Sequence, residues 1–137
     1  SNVAWAFAKL LRPHPELFAV VAHEVVRKVA TFQPQNLSIV AYSYGQMAAA
    51  GCPRGDVSPT ATTRLLLQVV LEEAERRRGE FDGQGLSNLC QAMAKLRLPS
   101  TRALHWIGVE AEERIQRFTN QELAMLAWSY AKLAVLD

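Results

Sequence analysis

The chain has 137 residues, half of them apolar, and a formal net charge of +2. This length and apolar content suffice for one folded unit with a buried core. No apolar run is long enough to span a bilayer, so we expect no membrane insertion. The two cysteines form no disulfide framework and fit a reducing compartment, and so mild a charge neither demands nor excludes nucleic acid.

One ten-residue phrase occurs four times, as SNVAWAFAKL, SIVAYSYGQM, SNLCQAMAKL and AMLAWSYAKL. Its starts are separated by 37, 49 and 37 residues, and the longer middle interval contains a turn-rich insert at 48–58. Large apolar residues at its third, seventh and tenth positions follow helical spacing, with small residues at its fourth and eighth. The phrase predicts a helix, helix B, that neighbouring helices approach closely.

A helix-start signal precedes the last three phrases, in the segments FQPQNL, FDGQGL and FTNQEL. Asp82 and Thr119 are predicted N-caps, Thr119 forms a capping box with Glu122, and Pro34 suits a first helical turn. The same glutamine position recurs in all three segments, and we favour its bonding to nearby backbone over contact with a ligand. The glutamines concerned are Gln35, Gln84 and Gln121.

Each of the segments FQPQNL, FDGQGL and FTNQEL begins with a phenylalanine, and a second amphipathic segment, helix A, precedes it. The three segments are PELFAVVAHEVVRKVA, PTATTRLLLQVVLEEAERRR with Ser58 as its predicted cap, and TRALHWIGVEAEERIQR. The chain therefore predicts an all-α fold of about seven helices, an α-solenoid of tandem antiparallel helix pairs. Its units are 1–13 (partial), 14–50, 58–98 and 99–137, within one helical-repeat segment spanning 1–137. Because the chain starts inside a unit, we expect it to be a fragment of a longer protein.

The segments FTNQELAMLAWSYAKL, FQPQNLSIVAYSYGQM and FDGQGLSNLCQAMAKL resemble the octotricopeptide repeat, whose second helix runs F-x-x-Q-x-L followed by a W-[AS]-x-A-K-L ending. Related repeats occur in proteins with RAP and FAST-kinase-like domains. Gln91 departs from the aromatic residue of the other copies, Trp5, Tyr42 and Trp128. The resemblance implies a protein of the chloroplast or mitochondrial matrix that acts on single-stranded RNA or rRNA, in RNA maturation or stabilisation, translation or ribosome architecture.

In each of the three helix A–helix B pairs, a cation stands four residues before the phenylalanine. These cations are Lys28, Arg77 and Arg114. Stacked repeats would bring these side chains into a ladder that could follow a phosphate backbone. With Arg27, Arg76 and Arg117 they are the candidate RNA-binding residues. The alternative is structural, because cations in the last turn of a helix stabilise its dipole and neighbouring glutamates neutralise them. Both interpretations stay open, the structural one slightly ahead.

The sequence contains no phosphate-binding glycine loop, nucleophile motif or metal-ligand spacing. We therefore expect no enzymatic activity, no cofactor and no metal. The tryptophans and tyrosines, at helical spacing beside valine and leucine, are expected in the core.

Two functional hypotheses remain. The segment is either part of an RNA-binding solenoid or a scaffold that binds protein subunits of a large organellar assembly such as a ribosome.

Overall fold

Each amphipathic segment within residues 15–51 and 60–136, which the computed structural model describes, forms its predicted helix. These ranges contain no β-strand, so the all-α prediction is confirmed. The predicted leading helix at 1–13 and most of the insert lie outside them. The helices are α1 (Pro15–Lys28), α2 (Pro34–Gly51), α3 (Ala61–Arg76), α4 (Gly83–Leu96), α5 (Thr101–Glu113) and α6 (Asn120–Leu136).

Polar side chains cap the helices B at the predicted positions. The Asp82 carboxylate accepts a hydrogen bond from the backbone N–H of Gly85 (2.8 Å) at the start of α4. At α6 the capping box is complete, because the Thr119 hydroxyl accepts from Glu122 N–H (3.1 Å) and the Glu122 carboxylate accepts from Thr119 N–H (3.0 Å). These caps satisfy backbone donors that the first turn of a helix leaves free. Both predictions are confirmed.

The cap of α3 differs from the prediction. Thr60, in an extended conformation, accepts a hydrogen bond from Thr63 N–H (3.1 Å) and precedes the first helical residue. The predicted cap, Ser58, lies outside the described residues, and the residue that caps the first turn is Thr60.

The link from helix A to helix B has the same form in all three pairs. Helix A ends in one turn of 3-10 helix, at Val29–Thr31, Arg78–Glu80 and Ile115–Arg117. An extended phenylalanine follows this turn, and helix B then begins. We call this side of the molecule, where helices A end and helices B begin, the turn edge. Equal links place equivalent residues of the three pairs at equivalent points along it.

The helices stack in two rows. In the row of helices B, α2 packs on α4 and α4 packs on α6, while in the row of helices A, α1 packs on α3 and α3 on α5. The predicted close approach of helices B is seen at Gly45, where an added Cβ would lie 3.1 Å from the Cα of Ala92. Small residues let two helix backbones come this near. This order of packing agrees with a solenoid of tandem helix pairs. The solenoid itself stays a prediction.

A tyrosine in helix B joins the two helices of the first and third pairs. The Tyr44 hydroxyl donates to the carbonyl of Phe18 (2.7 Å), and the Tyr130 hydroxyl donates to the carbonyl of Leu104 (2.5 Å). Met93 occupies the same position in the second pair. Burial raises the pKa of both tyrosines above the usual value. Their phenols therefore stay protonated and fix helix B against its partner.

Candidate nucleic-acid interface

Two of the predicted cations link one helix pair to the preceding pair. The Arg77 guanidinium donates a hydrogen bond to the carbonyl of Phe32, and Arg114 donates to the carbonyl of Phe81. Their side chains are only 22% and 19% exposed. Each arginine thus connects its own helix A to the turn of the pair before it.

Carboxylates occupy further donors of the same guanidinium groups. Arg114 pairs with Glu110 at 2.5 Å, and Arg77 lies 3.8 Å from Glu73 and 3.6 Å from Glu80. A backbone carbonyl and carboxylates thus surround both guanidinium groups, so the geometry favours the structural interpretation of these two residues. The acceptors are backbone carbonyls of a different helix pair, which the spacing of charged residues in the sequence could not indicate.

Lys28 differs from the other two members of the predicted ladder. Its side chain is half exposed and pairs with Glu24 at 3.0 Å on its own helix. The same carboxylate pairs with Arg27 at 2.7 Å. Hydrogen bonds from Arg27 and Lys28 lower the pKa of Glu24 to about 2. The three cations therefore do not form one uniform ladder.

The remaining candidates, Arg27, Arg76 and Arg117, are exposed at the turn edge. Arg76 pairs with Glu73, and no ion pair of Arg117 is seen in the described ranges. Arg78, which sequence reasoning missed, is exposed there too, with 3.6 Å between its Nε and a Glu110 oxygen. Exposed ion pairs contribute on the order of 0–1 kcal/mol, so such an arginine can exchange its glutamate for a phosphate.

The recurring glutamines also reach the turn edge, one from the start of each helix B. All three are exposed, and within residues 15–51 and 60–136 no hydrogen bond involves their side chains. The favoured prediction, that they bond nearby backbone, is therefore wrong, because side-chain caps and backbone turns already satisfy the helix starts. The residues are Gln35, Gln84 and Gln121.

A groove of about 420 Å³ runs along α4, between α2 and α6. We call it the amide groove, because four of its ten lining residues are carboxamides. Two of the recurring glutamines stand at its rim. Its lining residues are Tyr42, Gln84, Ser87, Asn88, Gln91, Lys95, Thr119, Gln121, Glu122 and Met125.

The inner end of the amide groove contains a cation on an aromatic ring. The ammonium of Lys95 lies 5.5 Å from the ring centroid of Tyr42 and donates a hydrogen bond to the side-chain oxygen of Gln46. Burial lowers the pKa of Lys95 from its usual value. Lys95 therefore forms a bridge between α2 and α4.

Each end of the stack exposes an apolar side chain. Val20 on α1 is exposed, whereas its counterpart Trp106 on α5 is buried. On α6, Trp128 is 44% exposed, which contradicts its predicted place in the core. On α2 and α4, the equivalent face packs against the next helix B. On α6, no described helix covers the face that carries Trp128.

The described residues contain no group of three or more histidine, cysteine or acidic side chains arranged to hold a metal ion. Within the same ranges, every helix falls short of the length and apolarity that crossing a bilayer requires. Cys90 is fully buried, and burial raises the pKa of its thiol to about 12. This thiol is therefore protonated at neutral pH and is not an activated nucleophile.

Comparison of the chain with protein-family models, curated proteins and solved structures finds no match.

Proposed function

We propose that this segment binds single-stranded RNA, without catalysing a reaction, as part of an octotricopeptide-like repeat protein of an organelle. One observation carries the proposal. Each helix pair presents an exposed arginine and an exposed glutamine at the turn edge. The residues are Arg27 and Gln35, Arg76 and Gln84, and Arg117 and Gln121.

Those two residue types serve the two parts of RNA recognition. Arginines bind phosphates irrespective of sequence, and carboxamides form paired hydrogen bonds with base edges. Repeat proteins that bind single strands place such side chains once in each repeat. The equal links between helices A and B supply that regular placement for the glutamines, whereas Arg117 stands four residues later in its pair than Arg27 and Arg76 do in theirs. The resemblance of the helix B phrase to organellar repeats supports the same proposal.

The test measures fluorescence anisotropy of a short labelled RNA pool over a salt series. For single strands, the slope of log K against log salt is about −0.7 for each phosphate contact. We expect the triple variant Arg27→Gln, Arg76→Gln and Arg117→Gln to reduce the slope by about 2. The control Arg64→Gln removes an exposed arginine in the first turn of α3, far from the turn edge, and leaves the slope nearly unchanged.

Variants of Arg77 and Arg114 do not provide this test, because their hydrogen bonds join helix pairs and their loss would alter stability first. Absence of any salt-dependent RNA binding at low salt would contradict the proposal.

A scaffold that binds protein subunits is the second candidate function. The apolar end faces support it, because Val20 and Trp128 expose apolar side chains at the two ends of the stack. The charge pattern supports it too, since Arg27 and Arg76 share carboxylates with neighbouring side chains. RNA binding that is absent at low salt in a folded protein would favour this candidate.

A further inference from the structure

Gln91 differs in chemistry from its counterparts in the other copies of the repeated phrase. The other copies of its phrase have an aromatic ring at that position, and here a carboxamide takes its place. The side chain is only 6% exposed and lines the amide groove. Its amide nitrogen lies 3.4 Å from the Ser87 hydroxyl, and within the described ranges no donor reaches its oxygen. The oxygen is not among the buried atoms without a partner, so it is open to the groove, where a donor from a ligand can reach it.

The walls of the groove suit a flat group. Because α4 lies between α2 and α6, Tyr42 on α2 and Met125 on α6 line the groove from opposite sides of α4. An aromatic ring and a thioether both pack favourably on the faces of planar, polarisable rings. Asn88 and Gln91 on α4 would then meet the edge of such a ring. This arrangement combines stacking with edge recognition, as in binding of unpaired bases.

The charges of the groove point to a neutral ligand. Its lining contains one cation, Lys95, and one carboxylate, Glu122, so the two charges offset each other. The Glu122 carboxylate already accepts the N–H of Thr119. A phosphate would meet one cation and one carboxylate, whereas a neutral base would meet carboxamides that donate and accept in one plane.

We propose that the amide groove binds one unpaired base of a single-stranded RNA, with Gln91 bonded to the edge of the base and Tyr42 and Met125 packed on its faces. This inference rests on the proposed function and adds a place where the second helix pair distinguishes one base from another. The exposed arginines of the turn edge hold the phosphates on either side.

The first experiment compares the wild-type protein with Gln91→Met, which keeps the length of the side chain and removes its amide. Anisotropy titrations use short oligo(A), oligo(C) and oligo(U) RNAs. Loss of one paired hydrogen bond to a base corresponds to about tenfold weaker binding of the preferred base. We expect that loss for the preferred RNA only, with the salt slope unchanged. The control Gln68→Met makes the same substitution at an exposed glutamine of α3 and should change neither quantity.

A second variant addresses the shape of the groove. Gln91→Trp restores the ring of the other copies and fills the space beside Tyr42, so it should also abolish the base preference. Circular dichroism establishes that both variants are folded. If the folded variants bind all three RNAs like the wild-type protein, the inference is wrong although the proposed function stands. If the wild-type protein binds no RNA, the proposed function itself fails.

A measurement at the site separates a base from a peptide as the occupant. The side-chain NH₂ signal of Gln91 in a ¹⁵N-labelled protein is followed during titration with adenosine, cytidine, uridine or glycylglycine amide. We expect at least one nucleoside to shift the signal and the peptide amide to leave it in place. A shift with glycylglycine amide alone, or with none of the four compounds, would overturn the proposal.

Discussion

The guanidinium of Arg114 donates a hydrogen bond to the backbone carbonyl of Phe81 and so fastens the third helix pair to the second. Arg77 makes the equivalent bond to Phe32, one pair earlier. Hydrogen bonds with one charged partner contribute about 1.5–3 kcal/mol to stability, and both arginines are largely shielded from water. A recurring cation that first suggested a ligand therefore has a role between repeats.

We expect Arg114→Met to lower the free energy of unfolding by about 2 kcal/mol, because it keeps the apolar stem and removes the donors. Urea denaturation followed by circular dichroism measures the change. The matched variant Arg117→Met lies three residues further along the chain on an exposed side chain, and its effect should stay within about 0.5 kcal/mol. Equal losses in the two variants would contradict the role of the bond to Phe81.

Ser129→Ala should raise the free energy of unfolding by about 1 kcal/mol, because its fully buried hydroxyl has no hydrogen-bond partner among the described residues. The chain supplies its own reference, since alanine occupies the same position of α4 at Ala92. Ser38→Ala is the control, because that buried hydroxyl donates to the carbonyl of Gln35 (2.9 Å) and its loss should not stabilise the fold. A Ser129→Ala variant less stable than the wild-type protein would disprove the expectation.

Stability should fall at alkaline pH through Tyr44 and Tyr130. Burial raises the pKa of both phenols in the folded state, whereas an unfolded tyrosine titrates near pH 10. The stabilising contribution is therefore complete below about pH 10 and is lost as pH rises through the raised pKa. We expect the urea midpoint to fall steeply above about pH 10.

The double variant Tyr44→Phe, Tyr130→Phe tests this origin. It should be less stable at neutral pH, because the hydrogen bonds to Phe18 and Leu104 are gone. Above about pH 10 its urea midpoint should decline less than that of the wild-type protein, since two groups no longer titrate. Parallel pH profiles for the two proteins would show that other groups cause the decline.

The periodicity of apolar residues was sufficient to predict the six described helices, and local polar chemistry predicted the caps at Asp82 and Thr119. Both are properties of neighbours along the chain. The partner of Arg114 could not be predicted, because it is a backbone carbonyl 33 residues earlier that stacking brings near. The amide groove needs three helices at once, yet one signal for it was visible, the carboxamide of Gln91 in place of a ring.

The position of α4 has a consequence for any ligand of the groove. With a helix of its own row on either side, ten of the fourteen residues of α4 are buried, whereas α6 keeps one face open to water. The backbone beneath Gln91 should consequently show the slowest amide exchange in the described part of the chain. Because this backbone is already ordered, a ligand that binds Gln91 loses little conformational entropy of the protein. A few hydrogen bonds can then suffice to distinguish one ligand from another.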